Sequence, residues 1–583
     1  MPSYRRLLFV VLVVLAAGSA APARAATVPQ YFPETGHSLA DPMQTYWTSH
    51  GGLPVFGYPL SEAFDEQRND AEQPFWTQYF ERNRLEAHPE NRAPYDVLLG
   101  RLGVEALEKQ GRAWQTLPKA PPDAAHYFAP TGHAVTHAPF WAYWSGHGLE
   151  FDGRPGIAEA ESLALWGYPV SEPSMETNAS GDRVLTQWFE RARFEDHGAK
   201  GVLLGLLGGE LTAERKDEPA FRRQEAPGST ARPDLAGKLA FVRGGDTWLY
   251  RPRTGETRKL LDRTTDFRWS PDGSAIAFVL PDGLYVAAAD GTGIRQVHAA
   301  ADLHRPVWAP DGTALAVVRG AVRYIENSAH DEREVWVVEL RSRQARRLAR
   351  GANPAWAPDS QRIAYVTPIT GAGPIESNVG AYTPGHNELR VARRHGQGDH
   401  VIVREVPANT PQIDTFKRSE LGHALESPFW DRTGASIYVL AAVIGVPDAT
   451  LYSLERADAS RGGSTFVSQL SNISGAMPAP NAQAFLVGMS GLGGAPWFEA
   501  HSTTGDDAAW SWARTEGDPL ELRWPGPATW APDSQAVAYS LCEVLYGPTG
   551  RSSFCSLALL TPRGTTTLLP SIGGGLLDWG RDG

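Results

Sequence analysis

From residue 237 onward, apolar positions come in short runs of four or five, bounded by Gly, Pro and Asp, as expected for buried strands between tight turns. The runs are Lys238-Leu-Ala-Phe-Val, Ala275-Ile-Ala-Phe-Val, Ala314-Leu-Ala-Val-Val, Ile363-Ala-Tyr-Val and Ala536-Val-Ala-Tyr. All but the first follow one phrase: Trp269-Ser-Pro-Asp-Gly, Trp308-Ala-Pro-Asp-Gly, Trp356-Ala-Pro-Asp-Ser and Trp530-Ala-Pro-Asp-Ser. Pro sets φ, Asp bonds its own backbone and Gly takes a positive φ, so the phrase predicts a tight turn between two strands. Short strands repeating at roughly 40–50 residues predict a β-propeller.

Phe429-Trp-Asp-Arg-Thr-Gly434 is a drifted copy of the phrase, and Met477-Pro-Ala-Pro-Asn-Ala-Gln483 a degenerate one with Pro478 in the Trp place. Lys238–Val242 is a second strand lacking its Trp strand, and Leu577-Asp-Trp-Gly-Arg-Asp-Gly583 is a Trp strand lacking its second. Joined, they complete seven blades, a closure that removes exposed sheet edges. The Trp-x-Pro-Asp phrase resembles the TolB-type, PD40 (WD40-like) propeller repeat over residues 237–583. The resemblance implies a mainly β fold in which Trp ends each innermost strand.

The first half contains a duplication. Tyr31-Phe-Pro-Glu-Thr-Gly-His37 matches Tyr127-Phe-Ala-Pro-Thr-Gly-His133, and Phe56-Gly-Tyr-Pro-Leu-Ser-Glu62 matches Trp166-Gly-Tyr-Pro-Val-Ser-Glu172. Thr77-Gln-Tyr-Phe-Glu-Arg82 matches Thr186-Gln-Trp-Phe-Glu-Arg191, and Val97-Leu-Leu-Gly matches Val202-Leu-Leu-Gly. Two small α+β modules are expected, over 26–112 and 126–212, with Thr-Gly-His capping a short helix in each. Residues 213–236, charged and rich in Pro and Gly, are expected as a linker. The modules resemble the LGFP-type repeats of bacterial cell walls, although the Leu-Gly-Phe-Pro phrase is absent; that resemblance implies envelope attachment.

Composition narrows the function. A charged fraction of 21% and a hydrophobic fraction of 42% are those of a globular chain. The formal net charge of −12 argues against a nucleic-acid partner. Arg5-Arg6, the apolar run Leu7–Ala17 and Ala23-Arg-Ala25 read as an export signal over 1–25. No later stretch is long and apolar enough to span a membrane, so a secreted or envelope-associated protein is expected. Its two cysteines, Cys542 and Cys555, fall on what read as neighbouring strands, and a disulfide is expected in an oxidising compartment.

No catalytic phrase stands out. Gly488-Met-Ser-Gly-Leu492 fails as a nucleophile elbow at its last position. His133 and His137 lack a third metal ligand, so no metal or cofactor is expected. Long connections between second and third strands, Gly320–Glu334 and Thr367–His386, place the partner site on one propeller face. The candidate residues there are Tyr324, Glu326, Asn327, His330, Glu376, Asn378, Tyr382 and His386. The expected function is a non-catalytic binding or scaffold protein, with a protein or peptide at the propeller face and an envelope or glycan contact at the modules. The alternative is a secreted glycan hydrolase or lyase with carboxylates in the propeller mouth.

Overall fold

The computed structural model describes residues 29–68, 73–92, 94–224, 231–264, 266–325, 328–368, 375–377, 380–382, 387–404, 423–443, 451–471, 473–489, 497–503, 510–511, 522–547, 550–561 and 564–582. The expected export signal lies outside them. The fold is mainly β and antiparallel. Among the described residues, no helix is long and apolar enough to cross a membrane.

Each N-terminal module is a two-stranded ribbon, two short helices, a small sheet and a closing helix. The first uses Gln30–Phe32, His37–Leu39, Met43–Ser49, Gly52–Phe56, Phe64–Arg68, Phe75–Tyr79, Arg84–Ala87, Val97–Leu99 and Leu102–Lys109. The second repeats this order, ending in Leu207–Thr212. The duplicated phrases are explained by bonds inside each module. Buried Gln78 donates to the carbonyls of Ser38 and Ser61, as Gln187 does to those of Ala134 and Ser171. Ser61 and Ser171 hydroxyls accept from the N–H of Tyr79 and Trp188. Glu81 and Glu190 accept from the N–H of Tyr58 and Tyr168. The Thr-Gly-His expectation needs correction: Thr35 and Gly36 form the turn of the ribbon, where Gly36 takes φ +75°, and cap no helix. Small polar residues before an apolar run suit either role, and the ribbon pairing decides.

The modules exchange helices reciprocally. Glu105, on the first closing helix, pairs with buried Arg84 of its own module, while Arg112 beyond it pairs with Glu176 of the second (2.9 Å). Glu210 pairs with Arg193 of its own module, while Arg215 beyond it pairs with Glu66 of the first (2.8 Å). Residues 215–224, within the expected linker, lie on the first module: Phe221 packs on Phe64 and Tyr79, and the Gln224 N–H bonds the Gly36 carbonyl.

The second half holds successive four-stranded antiparallel sheets. The first is ordered Glu256–Leu261, Asp246–Arg251, Lys238–Arg243, Leu577–Gly580, so its last strand comes from more than 300 residues downstream. Five more follow in chain order, and a seventh begins at Leu522–Trp530. Their opening strands end on Trp269, Trp308, Trp356, Trp430, Pro478 and Trp530.

The repeat has a physical basis. Four of these indoles donate to the carbonyl just before the preceding terminal residue: Trp308 to Arg268, Trp356 to Val307, Trp430 to Ala355 and Trp530 to Met477, at 3.0–3.1 Å. Each Trp therefore clamps one sheet to the last. The Asp side chains close their turns, as Asp272 does on the N–H of Ser274 and Asp311 on that of Thr313. Ser360 and Ser534 replace Gly at φ 58° and 62°. Their hydroxyls accept from the preceding turns, at the N–H of Asp311 and Asn481. A contact to the neighbouring sheet offsets the backbone strain.

The halves are joined by strand pairing. Phe64–Arg68 of the first module pairs antiparallel with Gly550–Thr561 of the seventh sheet, Asp65 opposite Ser553 and Arg68 opposite Gly550, making one eight-stranded sheet. The expected disulfide is present: Cys542 and Cys555 face each other across adjacent strands of that sheet. Closing this loop stabilises by about 3 kcal/mol in the chain-entropy account.

Burial at this junction pushes the Asp65 carboxyl up to about 6, against the pull of the Gly574 N–H and Arg551. Between its ordinary range and pH 6 the folded chain holds a proton there that the unfolded chain has lost, so stability falls as pH rises through that window. Asp65→Asn keeps an acceptor for Gly574 and removes the half-buried charge. It is expected to raise stability at pH 7.5 by about 2–3 kcal/mol, at 1.4 kcal/mol per pKa unit, and to flatten the profile between pH 4 and 6. Denaturant titrations at pH 4.5 and 7.5 check this; a variant less stable than the parent at pH 7.5 refutes it.

Candidate functional site

The opening strands of the third to fifth sheets share a local distortion. Three residues before each Trp the backbone turns left-handed, at Arg305 (φ 52°), Asn353 (φ 52°) and Ser427 (φ 48°). Pro306, Pro354 and Pro428 follow, and the ladder register slips at each place. Pro lacks an N–H for the ladder, so the strand bulges and re-aims the side chain before it. The opening strands lie against one another, so these bulges are neighbours.

The first two of them, at Arg305 and Asn353, line a cleft of about 380 Å³ bordered also by Asp266, His304, Gly320 and Arg333. The Arg305 N–H bonds the Asp266 carboxylate (2.7 Å), and its guanidinium donates to Asn353 Oδ1 (3.1 Å). One polar chain thus spans the second, third and fourth sheets. Arg305 and His304 are exposed. Arg333 is held in a two-pronged pair by Asp331, whose carboxyl that pairing keeps below its usual range even against burial. Burial pushes Glu426, on the fifth sheet, above the usual carboxylate range while Arg333 and Arg305 pull it down. The cleft therefore offers an exposed guanidinium on a fixed stem, an imidazole beside it and the Asp266 carboxylate at its rim.

The residues expected to form the site sit on two hairpins set between the second and third strands of their sheets. Tyr324 and His330 lie on Val322–Ile325 and Ser328–Asp331, opposite Ala329 and Arg323. This hairpin leaves the cleft directly, since Gly320, Ala321 and Val322 line it. Glu376 and Tyr382 lie on Ile375–Ser377 and Gly380–Tyr382 of the fourth sheet, opposite Ala381 and Ile375. Glu326, Asn327, Asn378 and His386 fall outside the described residues. Arg305, His304, Asn353 and Asp266 went unnoticed in the sequence. Their signal is the phrase x-Pro-x-Trp, present as Arg305-Pro-Val-Trp, Asn353-Pro-Ala-Trp and Ser427-Pro-Phe-Trp.

A second cleft, of about 520 Å³, lies between the first module and the first sheet, where Tyr46, His50 and Arg92 face Asp246, Trp248 and Lys259. Burial raises the Asp246 carboxyl there despite Lys259 at 3.3 Å. His133 and His137 turn to different carboxylates, Glu172 and Asp196. Among the described residues, Glu150, Asp152 and Glu161 are grouped closely enough for a cation, but Glu161 already accepts from the N–H of Phe151 and Ala158.

No family model matches the chain, and no curated protein does. Among solved structures, an oligogalacturonate lyase in complex with manganese is 14% identical, over 56% of this chain and 91% of its own, at a TM-score of 0.37. TolB from Acinetobacter baumannii is 12% identical over 57% and 77%, at 0.31. The Pyrococcus horikoshii acylaminoacyl peptidase is 13% identical over 52% and 45%, at 0.33. Likenesses this distant say nothing about what the chain does.

Proposed function

We propose that residues 237–583 form a seven-bladed TolB-like propeller, closed by the pairing of Lys238–Arg243 with Leu577–Gly580. We propose further that the chain is a secreted, non-catalytic binding protein. Its propeller mouth takes a protein or peptide, and its N-terminal modules face the envelope or a glycan. The disulfide supports an oxidising compartment. The observation that carries the binding role is Arg305, lifted by a proline bulge, anchored on Asp266 and Asn353, and exposed in a cleft at the base of the hairpin formed by Val322–Ile325 and Ser328–Asp331. A guanidinium so held suits a carboxylate on the partner, an acidic side chain or a chain end.

A charge-assisted hydrogen bond of about 1.5–3 kcal/mol corresponds to roughly 10- to 150-fold in affinity. Panning the full chain against a displayed peptide library, then titrating the enriched peptides, is expected to show a loss of that size in Arg305→Ala. Arg432→Ala, on the exposed turn after Trp430, is expected to change nothing. Equal affinity in both variants would remove Arg305 from the site. The second reading, glycan cleavage, is motivated by the raised Glu426 and by Asp266 at the rim. Release of soluble sugars from cell-wall material, lost in Glu426→Gln, would replace the binding role.

A further inference from the structure

The duplication sets an occupied edge beside an open one. Tyr58-Pro-Leu-Ser-Glu62-Ala-Phe64-Asp-Glu66 aligns with Tyr168-Pro-Val-Ser-Glu172-Pro-Ser174-Met-Glu176. Phe64–Arg68 is therefore the counterpart of Ser174–Thr177. The first is paired on both sides, with Phe75–Tyr79 and with Gly550–Thr561. The second is the outer strand of its sheet, paired only with Arg183–Trp188 among the described residues.

The open edge differs from its twin where a partner would land. Met175 takes the place of Asp65, the residue opposite Ser553 in the occupied pair, and Met175 is 52% exposed. Ser174 takes the place of Phe64, whose ring packs on Tyr79 and Phe221 in the first module. The missing ring leaves a polar groove of about 580 Å³, lined by Arg112, Ser174, Met175, Thr186, Trp188 and Arg193. The edge is held in place from below: Glu176 accepts from Arg112 and from the Trp188 indole. A fixed edge loses little freedom when a strand is added.

We propose that Ser174–Thr177 is a docking edge that accepts an extended segment of a partner protein as an added antiparallel strand. The pairing repeats what the seventh sheet does to the first module, with an apolar side chain of the partner set against Met175. Main-chain bonds supply affinity in such an addition, and the side-chain positions supply selectivity. This edge is separate from the propeller mouth and does not depend on the role proposed for it.

The test uses the full chain and a synthetic peptide of residues 550–557 carrying Ser553→Leu and Cys555→Ser. Hydrogen exchange is followed with and without the peptide. Amides of 174–177 are expected to slow at least tenfold with peptide, and the slowing is expected to vanish in Met175→Lys. The exposed side chain at 175 leaves that variant free to fold, and an unchanged melting temperature confirms it. No slowing at 174–177, or equal slowing in Met175→Lys, overturns the proposal. So does slowing that grows with protein concentration alone, which would assign the edge to a second copy. Slowing by cell-wall oligosaccharide in place of peptide would overturn it in favour of a glycan.

Discussion

Deleting residues 577–583 is expected to abolish cooperative unfolding of the second half. The lost strand buries Leu577 and Trp579, at 1% and 6% exposure. Full burial of such side chains stabilises by about 1.5–3 kcal/mol each. The strand also holds both of its neighbours. Trp579 donates through its indole to the Ala236 carbonyl and through its N–H to Thr529, while the Asp578 carboxylate receives the Trp269 N–H at 2.6 Å. The buried Lys238 ammonium loses the Asp582 carbonyl and keeps that of Gly273. These losses together reach the 5–15 kcal/mol that stabilises a typical domain. Calorimetry should show a broad or missing transition, with dye binding at room temperature. A truncated chain that melts sharply within a few degrees of the parent would refute closure by this strand.

The second large effect is expected from one methyl group. Gly208 lies in the helix that crosses to the first module, and a Cβ there would stand 1.8 Å from the Phe80 carbonyl oxygen. At Gly103, its counterpart, the distance to the Phe189 oxygen is 1.9 Å. Helix propensity alone favours Ala over Gly by about 1 kcal/mol. The clash reverses that, because backbone on both sides must separate and the reciprocal bonds, Gly103 N–H to Glu190 and Gly209 N–H to Glu81, go with it. Gly208→Ala is expected to destabilise by more than about 4 kcal/mol, in the range reserved for core disruption. Gly209→Ala is the control. Its Cβ would meet only Leu60 at 3.9 Å, and a neutral or slightly stabilised chain is expected. Denaturant midpoints that rank the two variants the other way would mean the helices do not pack this closely.

How much of this was legible depends on how far apart the interacting residues are. The turn after each Trp is written within five residues, and Asp272, Asp311 and Asp359 behave as their side-chain chemistry requires. The disulfide was legible because one short hairpin carries both cysteines. The reciprocal helices were not, since a glycine chosen for a carbonyl roughly 90 to 130 residues away leaves no periodic trace. Strand pairing between Arg68 and Gly550 has no local signature either. The long connection after Gly320, which borders the cleft, was legible, while the residues at the cleft floor sit on strands, where bulges are invisible to an alternating pattern. Thr35-Gly36 was misread because the residues that cap helices also make turns.

The seam between the halves also has a meaning in time. A ribosome finishes the Phe64–Arg68 strand long before its partner, Gly550–Thr561, exists; roughly 480 residues separate them in the chain. At about 5–20 residues per second the wait is roughly 25–95 s. Lys238–Arg243 waits similarly for Leu577–Gly580. During synthesis both edges are unpaired and open to neighbouring nascent chains. Yield in a foreign host should therefore follow the supply of holding chaperones more closely than the stability of the finished fold.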